Sequence, residues 1–240
     1  LGLPEETFFV SDEVRAYFAE HKKKQIARRQ AWDQTFSAWQ SANPEKAALL
    51  QSGLTRELPA DLMDQVQVFP EDAKLATRAA GSQIINDLAK ALPLLVSGSA
   101  DLHGSTKNYL KEQGDFSRDN HAGRNLLFGI REHAMGAILS GIVMHGPTRA
   151  YGGTFMQFSD YMRPAVRLAS LMDIDPIYVW THDSIGLGED GPTHQPVEHL
   201  AALRAIPNLS VVRPGDANET AFAWQSVLAR SSSSGPVGLA

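Results

Sequence analysis

From about Glu71 to the last residues, the apolar positions follow two alternating rhythms. Short apolar runs have strand length: Leu94-Leu95-Val96, Leu126-Leu127-Phe128, Thr148 to Tyr151, Ile177-Tyr178-Val179-Trp180, Leu209 to Val212, and one beginning near Pro236. Helical spacings lie between them. Leu75, Ile84, Ile85, Leu88 and Leu92 share one face until Pro93 stops the helix, and Met135, Leu139, Ile142 and Val143 mark another after Arg131. Further helices are predicted over Ser159 to Met172, from Val197, and from an Asp216 cap to Arg230. Strands alternating with helices predict an α/β fold, a mostly parallel sheet with helices on both faces.

The first 70 residues read differently. Ser11 is placed to cap a helix carrying Val14, Tyr17 and Phe18, and the same pattern resumes at Trp32, Phe36 and Trp39. Asn43-Pro44 reads as a cap followed by proline in the first helical position, opening a short helix through Leu50. The stretch Gln51 to Pro70, with Gly53, Pro59 and Pro70, reads as a linker, and Ser231 to Gly235 as a loop. The expected organisation is therefore a helical linker region over 1–70 and an α/β domain over 71–240.

Composition narrows the function classes. At 240 residues, one large domain or one domain plus an appendage is expected. The absence of cysteine excludes a disulfide scaffold, a thiolate zinc site and a cysteine nucleophile. No apolar run approaches the ~20 residues of a membrane helix, and Leu1-Gly2-Leu3-Pro4-Glu5-Glu6 is no signal peptide. A net charge of -5 argues against general nucleic-acid binding, and the cluster Lys22, Lys23, Lys24, Arg28 and Arg29 reads as a solvated helix face.

Ligands of such sheets bind beyond the carboxyl ends of the strands, and the conspicuous polar residues fall there. Ser97-Gly98-Ser99-Ala100-Asp101 follows the first strand, Glu132 the second, and Gly152-Gly153-Thr154-Phe155 the third. His182-Asp183-Ser184 opens a glycine-, acid- and histidine-rich loop, Ile185 to Gln195, after the fourth. Glu132 precedes Met135 and Leu139 by three and seven residues, so it lies on the buried side of its helix; the macrodipole would favour a glutamate there even without a function. Phe155, Phe158 and Tyr161, three apart, are either a core stripe or a dry stacking surface for a flat ring; Gly152-Gly153 favours close approach of backbone to a ligand. His194 and His199 are five apart with Pro196 between them, which does not make a metal pair, and no metal site is assigned to this chain. These imidazoles and Asp190 suit hydrogen bonding to a polyhydroxylated substrate, while Arg78 is a solvated helix arginine unless a phosphate is near it.

Several of these segments together resemble the middle domain of transketolases. They are Ala76-Thr77-Arg78, Gly98 to Leu102, Gly129 to Ala137, Tyr151 to Phe155, and Thr181 to Gly186 with Glu189 to Pro196. The similarity runs from about Arg78 to Pro214. It implies a thiamine diphosphate-binding fold and transfer of a two-carbon ketol unit between sugar phosphates. By resemblance, Glu132 matches the glutamate that contacts the aminopyrimidine of thiamine diphosphate, and Phe155, Phe158 and Tyr161 match the aromatic pocket around that ring. Asp101 matches an aspartate near the cofactor. Arg78, Ser105 and His182 match residues that bind the sugar phosphate, and Asp190 and His194 those that read substrate hydroxyls, with Glu132 and His194 carried over as the catalytic pair. The pattern departs after Leu102, where His103-Gly104-Ser105 stands, and again over Lys107 to Asn125.

The resemblance also implies a Mg2+ or Ca2+ ion on the diphosphate, held by a Gly-Asp-Gly motif that does not occur in these 240 residues. The chain accordingly reads as the pyrimidine half of a site completed by the diphosphate-binding domain of a second subunit of a homodimer. By itself it is expected to be inactive. A cytoplasmic enzyme of the pentose phosphate pathway is the expected setting. The alternatives are a non-catalytic or split-enzyme pyrimidine-domain subunit, dihydroxyacetone synthase and deoxyxylulose phosphate synthase.

Overall fold

The apolar runs form one six-stranded sheet: β1 (Leu95–Ser99), β2 (Asn125–Leu127), β3 (Arg149–Phe155), β4 (Ile177–Thr181), β5 (Ser210–Val212) and β6 (Val237–Leu239). In the computed structural model, which describes residues 2, 4–230 and 232–240, their order is β2-β1-β3-β4-β6-β5 and every pairing is parallel. Ser231, the first residue of the expected loop, lies outside the described residues, as do Leu1 and Leu3.

The expected α/β architecture is therefore present, and alternation along the strands divides its core in two. On one face α3 (Thr77–Ala91) and α8 (Ala217–Leu228) pack Ile84, Ile85, Leu88, Trp224 and Leu228 on Leu95, Tyr151, Ile177 and Val237. On the other, α5 (Glu132–His145) and α6 (Ser159–Leu171) pack Met135, Leu139, Met162 and Val166 on Ala150, Tyr178 and Trp180. Both faces being covered, all seven residues of β3 are buried.

Two strands run further than their apolar residues suggest. β1 continues through Gly98 and Ser99, and β3 through Gly152, Gly153 and Thr154, all expected to lie beyond the strand ends. Small residues are what the packing requires there. A Cβ on Gly152 would stand 2.6 Å from Leu139 Cδ1 and 3.0 Å from Met135 Sδ, and one on Gly153 would stand 2.6 Å from Asn108 Nδ2. The paired glycines thus admit the protein's own side chains, not a ligand.

The chain divides into two units, Leu1–Leu50 and Gln51–Ala240. Within the first, Ser11 caps α1 (Asp12–Ala42) by accepting from Val14 N, and Phe36 stacks between Trp32 and Trp39 at 4.8 and 5.7 Å. The proline-led α2 spans Pro44–Thr55, longer than expected. Within the second unit, the stretch read as a linker is packed. Leu62, Val66 and Phe69 are buried in the α3/α8 core, and the Phe69 backbone exchanges two 3.0 Å hydrogen bonds with the Asn218 side chain. Gly53, Pro59 and Pro70 give it the look of a linker, yet its apolar residues, Leu58 and Met63 included, cover one side of a helix pair.

The two cores give a direct test on one helix. Leu139→Ala empties a fully buried position and should cost about 2–5 kcal/mol, whereas Ile138→Ala, at a half-exposed neighbour, should cost less than about 0.5. Chemical denaturation of both variants measures the contrast, and equal losses would contradict the helix orientation.

Candidate active site

The parallel sheet delivers the carboxyl ends of β1, β3 and β4 to a common edge, where the polar residues gather. At the end of β1, Ser99 Oγ donates to Gly153 O and accepts from Leu102 N, both at 3.0 Å. The chain then turns through Asp101 in the left-handed region, φ +64°, a conformation aspartate tolerates, into the short α4 (His103–Thr106) that carries Ser105. Asn108 ties this turn to the sheet: its Nδ2 donates to Gly98 O at 2.6 Å, and its Oδ1 accepts from Thr106 Oγ1 at 2.6 Å and from His103 Nδ1 at 3.0 Å. Its carbonyl accepts from Ser97 Oγ and Tyr151 OH.

Glu132 is the first residue of α5 and is 6% exposed. The hydrogen bond it accepts, from Thr154 Oγ1 to Oε1, is long at 3.4 Å. A carboxyl taken this far from water and this weakly bonded retains capacity for a polar ligand atom. One residue beyond Thr154, β3 ends in Phe155, whose ring stacks on Phe158 at 5.7 Å with an 8° interplanar angle. Tyr161 follows, 6.1 Å from Phe158 and 67% exposed. The three aromatics span a strand end, a 3₁₀ turn and a helix start, so they are not a helical core stripe.

The residue after β4 is His182, also left-handed at φ +57°. Its ring lies 3.8 Å from that of Phe155. Arg78 Nη1 donates to His182 Nε2 at 2.7 Å and to Ser105 O at 3.1 Å. With Nε2 accepting, Nδ1 carries the proton and donates to Thr181 Oγ1 at 2.8 Å, the arrangement of a neutral ring. Burial, and after it the Arg78 guanidinium, hold the His182 pKa below its ordinary value, against the carboxylates of Asp190 and Asp183. His194 approaches the same stack from the loop, 5.1 Å from Phe158 and 6.0 Å from Phe155.

The fold therefore brings Arg78, Ser105, His182, Phe155, Phe158, Tyr161 and His194 into one connected set, with Glu132 joined to it through Thr154. Arg78 is not a lone solvated arginine, and Ser105 meets it through the carbonyl. Asp190 reaches the set by charge alone, and Asp101, among the described residues, has no hydrogen bond or ion pair to the others. A cavity of about 250 Å³ beside α3 and α8 is lined by Arg78, His182, Lys107 and Trp224, and Glu132 and the Phe155–Phe158 stack lie outside it. Sequence reading missed Asn108, the bond from Thr154 to Glu132, the Arg213–Asp183 ion pair at the start of the loop and the bond from His199 to Asp160. None belongs to a periodic pattern; only the glycine at 153 signals that a side chain must enter.

The donors and surfaces present fit an aminopyrimidine ring: one buried carboxyl held by Thr154 Oγ1, and a stacked aromatic pair that begins at the next residue of β3. The family model described as "Transketolase, pyrimidine binding domain" matches residues 73–240, and that described as "Transketolase, thiamine diphosphate binding domain" matches residues 1–59. The chain belongs to the transketolase family. It is 57% identical to the transketolase of Mycobacterium leprae (strain TN), covering 98% of this chain and 35% of that protein. The transketolase of Physarum polycephalum is 54% identical, over 100% of this chain and 36% of that protein. Among solved structures, transketolase from Leishmania mexicana superposes with a TM-score of 0.91 at 42% identity, covering 98% of this chain and 35% of the other. The chain spans about a third of the length of the relatives it matches.

The neutral His182 ring predicts an acid sensitivity. Its folded pKa lies below the ordinary 6.5, so on acidification the unfolded chain takes the proton first. Stability from this residue is complete above about pH 7 and declines as pH falls below about 6.5, until the folded pKa is passed. The stability difference between the parent and His182→Gln, followed by denaturation from pH 8 to 5, should shrink over that window. A difference that is flat or grows toward acid would contradict the neutral ring.

Proposed function

We propose that this chain supplies the aminopyrimidine half of a thiamine diphosphate site in an enzyme that transfers a two-carbon ketol unit from a ketose phosphate to an aldose phosphate. The observation that carries the reading is a buried carboxyl, Glu132, bonded to Thr154 at the end of β3, where the Phe155–Phe158 stack begins with His182 and His194 against its rings. Solved Pichia stipitis transketolases similar to this chain are described as complexes with sedoheptulose 7-phosphate, fructose 6-phosphate and xylulose 5-phosphate, which supports the substrate class.

The cofactor, when bound, supplies a carbanion nucleophile and an electron sink. Glu132 would hold or release a proton through its carboxyl at the pyrimidine nitrogen, and Phe155, Phe158 and Tyr161 would form the flat surface that orients the ring. Asp101 would stand beside the cofactor. Arg78, Ser105 and His182 would grip the sugar phosphate, and the guanidinium suits a dianion. Asp190 and His194 would read hydroxyls near the reacting carbons.

The diphosphate and its Mg2+ or Ca2+ ion would be held by a Gly-Asp-Gly domain, since these 240 residues contain no such motif. We place residues 1–70 with that domain, in line with the family match over 1–59. In the same reading the pyrimidine surface faces the diphosphate domain of a second subunit, in a homodimer of the cytoplasmic pentose phosphate pathway. Among the described residues no helix is long and apolar enough to cross a membrane.

In the assembled enzyme, Glu132→Gln should lower ketol transfer by roughly 10²–10⁴-fold with an unchanged circular dichroism spectrum, because an amide cannot exchange the proton. Activity within a few-fold of the parent would remove Glu132 from the chemistry. The 240 residues by themselves should bind thiamine diphosphate weakly or not at all in calorimetry, since the charge-assisted diphosphate contacts are elsewhere. Magnesium-dependent binding at about micromolar or tighter affinity would mean that the diphosphate site has been misplaced.

A further inference from the structure

Among the described residues, the loop that carries Asp190 and His194 has its polar anchors to the body of the domain near its ends. The hydrogen bonds of Ser184 to Gln195 run within the loop itself, among them Leu187 N to Ser184 O, Gly191 N to Gly188 O, His194 N to Gly191 O and Gln195 Nε2 to Gly188 O. At its start it is fixed by Arg78 on His182 and Arg213 on Asp183. At its end stands His199, the first residue of α7 (His199–Arg204), 1% exposed and five residues beyond His194. His199 Nε2 lies 3.0 Å from Asp160 Oδ2. A carboxylate only accepts, so Nε2 carries the proton and donates; Nδ1 is buried without a hydrogen-bond partner, 3.9 Å from Glu198 Oε2. Asp160 is held in turn by Arg163 at 2.7 Å.

What Asp160 adjoins gives this bond its meaning. It sits in the first turn of α6 between Phe158 and Tyr161, two of the three rings of the aromatic surface. The buried bond therefore ties the exit of the histidine-bearing loop to the same turn that presents the stacking rings, and His194 touches Phe158 between those two points. A donor as enclosed as His199 Nε2–H loses its only acceptor if Asp160 is truncated, and the exit of the loop then has no polar anchor among the described residues.

We propose that His199 and Asp160 are a positioning pair: their bond sets where His194 and Asp190 stand relative to the cofactor surface, and neither residue touches substrate. This rests on the functional reading above for what the loop does, not for how it is held. The test uses the assembled enzyme with four variants. His199→Leu keeps apolar volume without a donor, and Asp160→Ala changes a half-exposed side chain, so the second remains informative if the first fails to fold. His199→Gln and Asp160→Asn retain a donor and an acceptor.

Hydrogen exchange at the amides of residues 186–195 should quicken on the order of tenfold in His199→Leu and Asp160→Ala and stay near the parent in the other two. KM for the ketose phosphate should rise on the order of tenfold in the same two variants, with thiamine diphosphate affinity unchanged, because displaced loop groups read substrate while the stack remains. The double variant should be no worse than either single one. Unchanged loop exchange in folded Asp160→Ala would overturn the proposal, as would a KM rise that His199→Gln and Asp160→Asn do not reverse. A parent enzyme that transfers no ketol unit would instead sink the functional reading, and the exchange measurement would still decide whether the pair holds the loop.

Discussion

Because all five strand pairings are parallel, every strand leaves the sheet at the same edge. Parallel strands need helical crossovers, and the crossovers bury both faces, so neither face is free to hold a polar ligand. The carboxyl-end edge is what remains. Phe155 ends β3, and Asp101, Glu132 and His182 come soon after β1, β2 and β4, so residues far apart in sequence are delivered to that one edge. The left-handed backbone at Asp101 and His182 marks where two of these exits turn sharply.

A second constraint acts on the loops. Where the chain leaves the hydrogen-bonded ladder, its polar groups need other partners, and buried asparagines supply them. Asn108 bonds Gly98, Thr106, His103, Ser97 and Tyr151, and Asn125 bonds both the amide and the carbonyl of Leu110 and the carbonyl of Gly114. Arg124 caps the carboxyl end of α3 on Ala89 and Leu92 and also reaches Leu95. The segment from Lys107 to Asn125 is thus a frame of side-chain bonds that holds α4 and Ser105 against the sheet. Gly153 is small because Asn108 passes through the space a Cβ would take.

The site's parts have different degrees of enclosure. Glu132 and Phe155 are buried, Phe158 is half-buried, and Tyr161, Asp101 and Asp190 are exposed. The site is therefore driest at the carboxyl and most open at its rim. The loop bearing His194 closes the gradient, fixed near its ends by Arg78, Arg213 and Asp160.

The sequence by itself determined the class of fold, since alternating strand and helix periods leave few alternatives to a parallel sheet, and β4, α5 and α6 lie close to where their apolar residues put them. It also singled out candidate residues, Arg78, Glu132, Phe155, Phe158, Tyr161, His182, Asp190 and His194, by their place at strand ends or in recognisable motifs. Only the tertiary structure decided that Gly152 and Gly153 serve packing and that Leu62, Val66 and Phe69 belong to the core and not to a linker. It alone paired Arg78 with His182 and His199 with Asp160. Periodicity reports a residue's relation to its own helix or strand. A single hydrogen bond between residues 104 or 39 positions apart depends on where two separate elements are packed, and no local pattern carries that information.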